Sequence, residues 1–193
     1  MGKVMLIGGS PMIGKSTVAG IIAAKHMLPV LSTDDIGDIL QTVSPDINPM
    51  GKMNYLDYYE KTSIPKLIED MYSYHLAMQN AIAKMIDKHS SWAASIIIEG
   101  YAIYPDIALK ENTEAVWLIA SNALLQSRLE NSPAFQKAPE TAKQHYLQRS
   151  IWHNNLILEQ CKKIKRRYIQ IEGCESSNNL AERILGETGF YFC

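Results

Sequence analysis

Residues 7–17 read IGGSPMIGKST, and no other stretch of the chain constrains its structure as strongly. From Gly9 to Ser16 they match the pattern G-x-x-x-x-G-K-[ST] in full. Apolar residues 4–7 precede the match and predict a buried strand, while a helical pattern follows over 15–26. Glycines let the backbone curl so that successive N–H groups face one anion, and the helix start adds a positive partial charge. The sequence therefore predicts a loop that binds the phosphates of a nucleoside triphosphate.

Two side chains of this loop carry separate chemistry. Lys15 can reach the β- and γ-phosphates as a point charge, and the Ser16 hydroxyl can ligate Mg²⁺, which prefers oxygen ligands. We therefore expect a nucleotide site with a magnesium ion. The expected nucleotide-binding residues are Gly9, Ser10, Pro11, Met12, Ile13, Gly14, Lys15, Ser16 and Thr17.

Short β-branched apolar runs alternate with longer helical stretches along the whole chain. The predicted strands are Val4–Ile7, Val30–Leu31, Ser95–Ile98, Ala115–Ile119 and Tyr168–Ile171. The predicted helices span 15–26, 34–41, 56–88, 121–130, 141–163 and 177–187. This alternation predicts an α/β fold with a parallel sheet wrapped by helices, in one domain over 1–193. Proline-containing segments 42–54 and 131–140 interrupt the pattern as loops, which often carry binding groups.

Acidic residues follow two of the predicted strands. Asp34 and Asp35 come after the second strand, and Glu99 after the third. Ligands of open α/β sheets gather at the carboxyl ends of the strands. There, a carboxylate of the aspartate pair can orient or deprotonate an acceptor hydroxyl, and Glu99 can hold Mg²⁺ directly or through water. The alternative for the aspartate pair is a helix cap with a favourable first-turn charge.

Two isolated arginines are candidates for stabilising the charge of a transferring phosphoryl group, Arg128 and Arg149. Arg149 follows the segment bounded by Pro133 and Pro139. Because residues 131–150 are basic and carry few large apolar side chains, we expect them to form a lid with little to bury. Both arginines could equally be surface residues. His75, His145 and His153 lack metal-ligand spacing and suggest no site.

Composition excludes several classes of protein. The 193 residues include 19 basic and 20 acidic ones, and a formal charge of −1 disfavours a nucleic-acid partner. No apolar run approaches the roughly 20 residues of a membrane helix. The three cysteines form no CxxC or Cys/His cluster, so a zinc site is not expected, and a reducing cytoplasmic location fits best. The oligomeric state stays open.

Taken together, these motifs resemble P-loop small-molecule kinases, nearest to the 2-phosphoglycerate kinase-like family. The matching segments cover most of the chain: IGGSPMIGKST at 7–17, LSTDDIGDIL at 31–40, HLAMQNAIAKMID at 75–87, IIIEGYAIYP at 96–105 and the 143–163 helix. The resemblance implies a three-layer P-loop NTPase fold, with a five-stranded parallel sheet of order 2-3-1-4-5 and a helical lid near 131–150. It also implies ATP and Mg²⁺, with Asp34 facing the acceptor and Arg149 in the lid.

Two positions depart from the pattern of related kinases. Gly37 stands where an arginine often follows the strand-two aspartate, and Ser132 where a second arginine often follows Arg128. Both losses argue against a strongly anionic acceptor such as 2-phosphoglycerate, so we expect a small hydroxyl-bearing metabolite. A nucleoside or nucleoside monophosphate kinase is the enzymatic alternative. A non-catalytic or regulatory nucleotide-binding protein is the other, although no guanine-binding N-K-x-D motif is present.

Overall fold

Five parallel strands form the centre of the protein, in a computed structural model that describes residues 2–50 and 53–190. They are β1 (Val4–Gly9), β2 (Val30–Ser32), β3 (Ile96–Gly100), β4 (Thr113–Ile119) and β5 (Tyr168–Gln170). The order β2-β3-β1-β4-β5 confirms the predicted sheet. Strand β1 is central, with Ile7 opposite Glu99 of β3 and Val116 of β4. The phosphate-binding loop therefore leaves the middle of the sheet.

Helices cover both faces of the sheet. They are α1 (Lys15–His26), α2 (Thr33–Val43), α3 (Tyr55–Lys61), α4 (Ile64–Ser91), α5 (Asn122–Glu130), α6 (Glu140–Ile164) and α7 (Ser177–Thr188). Successive β1 side chains point to opposite faces, as a strand requires. Met5 and Ile7 pack with α1 and α7, whereas Val4 and Leu6 pack with α4 and α6. Strands β1 and β3 are buried along their whole length, which explains their continuous apolar runs in the sequence.

The prediction of one helix over 56–88 is wrong, because the structure contains two helices. Helix α3 ends at Lys61, and α4 begins at Ile64 with Ser63 as its extended N-cap residue. Pro65 lies in the first turn of α4, where its missing N–H costs nothing, but it could not continue an uninterrupted helix. The break turns α3 away from α4 and toward α6. The predicted loop 42–54 is also shorter, since α2 runs to Val43 and a 3₁₀ turn occupies 45–47; residues 51 and 52 lie outside the described residues.

A third apolar cluster joins the 131–150 segment to α3 and α4. Phe135 and Tyr146 pack there against Tyr59, with ring centroids of Tyr59 and Tyr146 5.0 Å apart. The expectation that this segment has little to bury is therefore wrong. In the part of the chain that the structure describes, no helix is both long and apolar enough to span a membrane.

Candidate functional site

The loop between β1 and α1 has the backbone of an anion cradle. Gly9, Met12 and Gly14 have positive φ angles of 130°, 62° and 92°. Such left-handed residues turn neighbouring N–H groups inward. At Gly14, the N-cap residue of α1, a side chain would strain the backbone, so the second glycine of the motif is a conformational requirement. The loop thus presents backbone donors and a helix N-terminus to the same space.

Lys15 is buried beneath this loop, and its Nζ donates to the Ser10 carbonyl over 2.7 Å. Burial lowers the pKa of Lys15 to about 8, although Glu99 and Asp34 raise it. At the next residue of α1, Ser16 Oγ donates to Glu99 Oε1 over 3.1 Å. A hydroxyl and a carboxylate in contact are the oxygen ligands that suit Mg²⁺. The residues present therefore fit a magnesium ion beside a bound triphosphate.

The two aspartates after β2 have different environments. The Ser32 hydroxyl accepts from the Asp34 N–H over 3.2 Å, and the Asp35 carboxylate accepts from the Ser32 N–H over 3.4 Å, which together form a capping box. Asp34 instead lines the cavity that contains Lys15 and Glu99. Water reaches its carboxylate, yet enough protein surrounds it for burial to raise its pKa, against the lowering effect of Lys15. Of the two aspartates, only Asp34 therefore lies where it can contact a ligand in this cavity.

Arg149 of α6 lies on the opposite wall of this cavity and is 7% exposed. Its guanidinium carbon is 5.0 Å from the ring centroid of Tyr59 and 5.1 Å from that of Tyr146. Among the described residues, no carboxylate forms an ion pair with it, and its Nε has no hydrogen-bond acceptor. Aromatic faces stabilise a cation without neutralising its charge. Arg149 is thus a buried, fixed positive charge that can receive an anion.

Two adjoining cavities make up the site. The first is about 330 Å³, and residues from the loop, α2, β3, α3 and α6 line it: Pro11, Met12, Lys15, Ser16, Asp34, Tyr55, Tyr59, Glu99, Gly100, Tyr101, Tyr146 and Arg149. The second, about 90 Å³, shares Tyr55, Tyr59, Tyr101 and Arg149 and adds Asn48, Pro49, Met50, Tyr58, Asp70, Met71 and Tyr74. Burial raises the pKa of Tyr59 to about 12, so this phenol is neutral. We call these the phosphate cavity and the tyrosine cavity.

Other predicted site residues lie outside both cavities. Arg128 is on α5, where its Nη1 donates to the Met12 carbonyl over 2.8 Å and so supports the back of the loop. Ile13 is fully buried in the core, and Thr17 is exposed on the first turn of α1. Their side chains hold or flank the cradle, while Lys15, Ser16, Asp34, Glu99 and Arg149 converge within it.

Sequence patterns missed two parts of the site. The tyrosines around Arg149 come from separate segments of the chain, and Tyr55 and Tyr59 of α3 pack against Tyr146 of α6. His153, set aside for lack of metal-ligand spacing, contacts the loop at Ser10. In the described residues, no three His, Cys, Asp or Glu side chains cluster as potential metal ligands. The signal available in the sequence was the i, i+4 spacing of Arg149 and His153 on one helix face.

This fold and site define an α/β protein with a phosphate-binding loop at the centre of a 2-3-1-4-5 sheet. The sequence matches no family profile and no curated protein sequence. Solved structures of the same architecture include a gluconokinase from Sinorhizobium meliloti, with a TM-score of 0.55 at 14% identity over 97% of this chain and 91% of that one. A shikimate kinase from Acinetobacter baumannii has a TM-score of 0.54 at 18% identity, over 97% of this chain and 93% of that one.

A deoxyadenosine kinase from M. mycoides is similar to the same extent, with a TM-score of 0.54 at 14% identity over 96% of this chain and 98% of that one. These solved structures are all P-loop kinases, and the chain shares their fold. The fold that the resemblance implied is therefore confirmed. At these identities the likeness establishes the architecture alone, and the activity has to be inferred from the site.

Proposed function

We propose that this protein is an ATP-dependent phosphotransferase that moves the γ-phosphate of ATP to a hydroxyl group of a small metabolite. The observation that carries the proposal is the convergence of Lys15, Asp34, Glu99 and Arg149 on one cavity next to the phosphate-binding loop. A protein that only bound nucleotide would need the loop and Lys15. It would have no use for a carboxylate and a buried arginine on the walls facing them.

Each side chain has a role in transfer. The loop amides and Lys15 would hold the phosphates, and Ser16 with Glu99 would hold Mg²⁺, which would neutralise phosphate charge when bound. The oxygen of the acceptor hydroxyl forms a bond to the γ-phosphorus, and Asp34 accepts the proton that this hydroxyl loses. The bond from the γ-phosphorus to the ADP oxygen breaks. Arg149 stabilises the charge that develops on the transferring group. Arg128 supports the loop through Met12.

The tyrosine cavity is the proposed acceptor site, because it shares Arg149 and three tyrosines with the phosphate cavity, which Asp34 lines. Its formal charges are one guanidinium, Arg149, and one carboxylate, Asp70, which already accepts from Tyr58 over 2.9 Å and pairs with Lys66 at 2.9 Å. Neutral phenols provide the remaining hydrogen bonds. We therefore expect an acceptor rich in hydroxyl groups that carries at most one weak negative charge.

Gly37 is the position at which related kinases often have an arginine, and its surroundings show what occupies that space in this protein. A Cβ at this position would overlap the Tyr74 hydroxyl and come within 3.0 Å of Met78 Sδ. Tyr74 thus fills the space beside α2, where the sequence pattern of related kinases led us to look for an arginine. A phenol there can hydrogen-bond an acceptor but cannot neutralise a phosphate, which supports the expectation of a weakly charged acceptor.

A nucleoside is the second candidate acceptor, favoured by one observation. Tyr55, Tyr58, Tyr59, Tyr74 and Tyr101 all line the tyrosine cavity, and aromatic rings stack on bases. A nucleoside is uncharged and carries hydroxyl groups, so it satisfies the same charge argument. The single arginine favours a nucleoside over a nucleoside monophosphate.

Residues 131–150 form the proposed lid, although, unlike the lid expected from the sequence, they bury several side chains. The segment packs closed against α3, and Arg149 at its end is already beside the cavity. Opening would then involve the part before Arg149, with Phe135 and Tyr146 leaving their cluster. Amide hydrogen exchange over 131–146 should slow when a non-hydrolysable ATP analogue binds. Equal, core-like protection with and without nucleotide would rule out a lid.

The experiment for the proposed function measures ADP release with Mg-ATP and a panel of polyols, sugar acids, nucleosides and their phosphorylated forms. We expect release to depend on one acceptor class, with a neutral or singly charged compound preferred over its phosphorylated partner. Acceptor-independent hydrolysis alone would contradict a kinase. Strong preference for a phosphorylated acceptor would contradict the charge argument and favour a 2-phosphoglycerate-like substrate.

A further inference from the structure

Helix α6 contacts the phosphate-binding loop through buried polar groups that the proposed reaction does not use. Ser10 Oγ donates to the Ser150 carbonyl over 3.1 Å and lies 3.0 Å from His153 Nδ1. Ser10, Ser150 and His153 are all fully buried. We call these three residues the α6 latch. Ser150 directly follows Arg149, so the latch joins the loop to the helix turn that carries the arginine.

The protons of the latch can be assigned. Ser10 has one hydroxyl proton, and the contact to the Ser150 carbonyl uses it. His153 must then donate to Ser10 Oγ from Nδ1–H. Burial, with Lys15 and Arg149 nearby, lowers the pKa of His153 to about 3, so the ring is neutral and has one N–H. Among the described residues, no group forms a hydrogen bond of acceptable geometry with Nε2, and the backbone of Tyr101 lies near the ring.

A second anchor holds the same part of α6. The Asn154 side-chain amide accepts from the Ala120 N–H and donates to the Ala120 carbonyl, both over 3.0 Å. Ala120 follows β4, and Ser10 follows β1, so α6 is tied to the carboxyl ends of two adjacent strands. Arg149 begins this anchored stretch. Its distance from the loop is therefore set by the latch and the Asn154 anchor.

Ser10 also connects the latch to Lys15, whose Nζ donates to the Ser10 carbonyl. A shift of Ser10 would move both the first amides of the cradle and the acceptor that holds Lys15. Preorganised groups lose much of their effect when displaced by about 1 Å. The consequences of losing the latch should therefore appear in nucleotide affinity before they appear in the stability of the fold.

We propose that His153 is a positioning residue that fixes Ser10 of the phosphate-binding loop relative to Arg149, so that the nucleotide site exists in its working form before ligand binds. This inference rests on the proposed function for the role of Arg149, but its effect on the loop concerns nucleotide binding alone. The other explanation is that His153 merely fills the core between α4 and α6.

His75 on α4 is a matched control. It is also fully buried, its ring centroid lies 5.7 Å from that of His153, and its Nδ1 is 3.0 Å from the Tyr104 hydroxyl. It has the same burial and neighbourhood as His153 but no bond to the loop. Leucine at either position removes a buried hydrogen bond, whereas only His153→Leu opens the latch.

The experiment compares three variants, His153→Leu, His153→Asn and His75→Leu. For each, calorimetry gives the dissociation constant of a non-hydrolysable ATP analogue with Mg²⁺, and denaturant unfolding gives the stability. We expect His153→Leu to weaken nucleotide binding about five- to tenfold, as for one lost hydrogen bond that holds a site. His153→Asn, whose amide N–H can replace Nδ1–H, should restore most of the affinity. His75→Leu should be destabilised to a similar degree as His153→Leu, yet bind within about twofold of the parent.

Unchanged affinity in His153→Leu, equal weakening in both leucine variants or no recovery with asparagine would overturn the proposal. If His153→Leu does not fold, Ser10→Ala removes the same bond from the loop side. A double-mutant cycle of Ser10→Ala with His153→Ala, which cannot donate at this position, should then show non-additive losses of affinity, and additive losses would refute the latch. A parent protein that binds nucleotide but phosphorylates nothing would refute the proposed function only, because the latch is judged on affinity.

Discussion

Replacing Asp34 by asparagine separates its role from that of its neighbour. The amide would keep the shape and a carbonyl acceptor but could not take the proton of an acceptor hydroxyl. General-base contributions are typically 10²–10⁴-fold, so kcat should fall by that factor, or about 3–5 kcal/mol of barrier. Stability should not suffer, because burial raises the pKa of Asp34 and so disfavours its charged form in the fold. Nucleotide affinity should stay within about threefold, since Asp34 is not part of the cradle.

Asp35→Asn is the matched variant, one residue further along α2. Its carboxylate accepts from the Ser32 N–H in the capping box and adds negative charge to the first turn of the helix. Its replacement should cost about 0.5–1 kcal/mol of unfolding free energy and leave kcat nearly unchanged. The assay is ADP release with the acceptor found in the panel, together with urea unfolding. Equal losses of kcat in both variants, or full turnover in Asp34→Asn, would refute the assignment of the base.

Three further predictions concern the loop, the α2–α4 contact and the buried histidines. Lys15→Ala should lower ADP production about 10³-fold or more while circular dichroism shows the parent fold; near-normal turnover would contradict the role of the loop. Gly37→Ala should lower the free energy of unfolding by about 1–3 kcal/mol, because the new Cβ would overlap Tyr74. Gly20→Ala, which has open space around its Cβ, should raise the free energy of unfolding by about 0.5–1 kcal/mol. A change of the same sign in both variants would be inconsistent with the packing. Because burial lowers the pKa of His153 to about 3, the unfolded chain binds a proton below its ordinary pKa of 6.5 and the folded protein does not. Stability should thus fall on acidification, by about 2 kcal/mol from this residue between pH 7 and 5, and denaturant unfolding of His153→Asn should show a correspondingly smaller loss.

The helix predicted over 56–88 shows that local sequence patterns do not predict every helix boundary. Apolar residues continue with helical period on both sides of Ser63, so periodicity alone predicts one element. Pro65 could equally occupy the first turn of a new helix or kink a longer one, and only packing against α6 selects the break. The sequence likewise suggested a segment with little to bury at 131–150, because Phe135 and Tyr146 stand apart among largely polar residues. Their partners include Tyr55 and Tyr59 on α3, far away in sequence.

From the amino-acid sequence alone, we could predict the parallel sheet, the loop before Lys15, and the acids Asp34 and Glu99 near strand ends. These features depend on short-range order: apolar runs that must be buried, glycines with special φ angles and acids that follow apolar runs. Only the tertiary structure reveals that tyrosines surround Arg149 and that His153 contacts Ser10. Those contacts join residues up to 143 positions apart. No local pattern encodes them, because side chains from distant segments meet only after the helices have packed on the sheet.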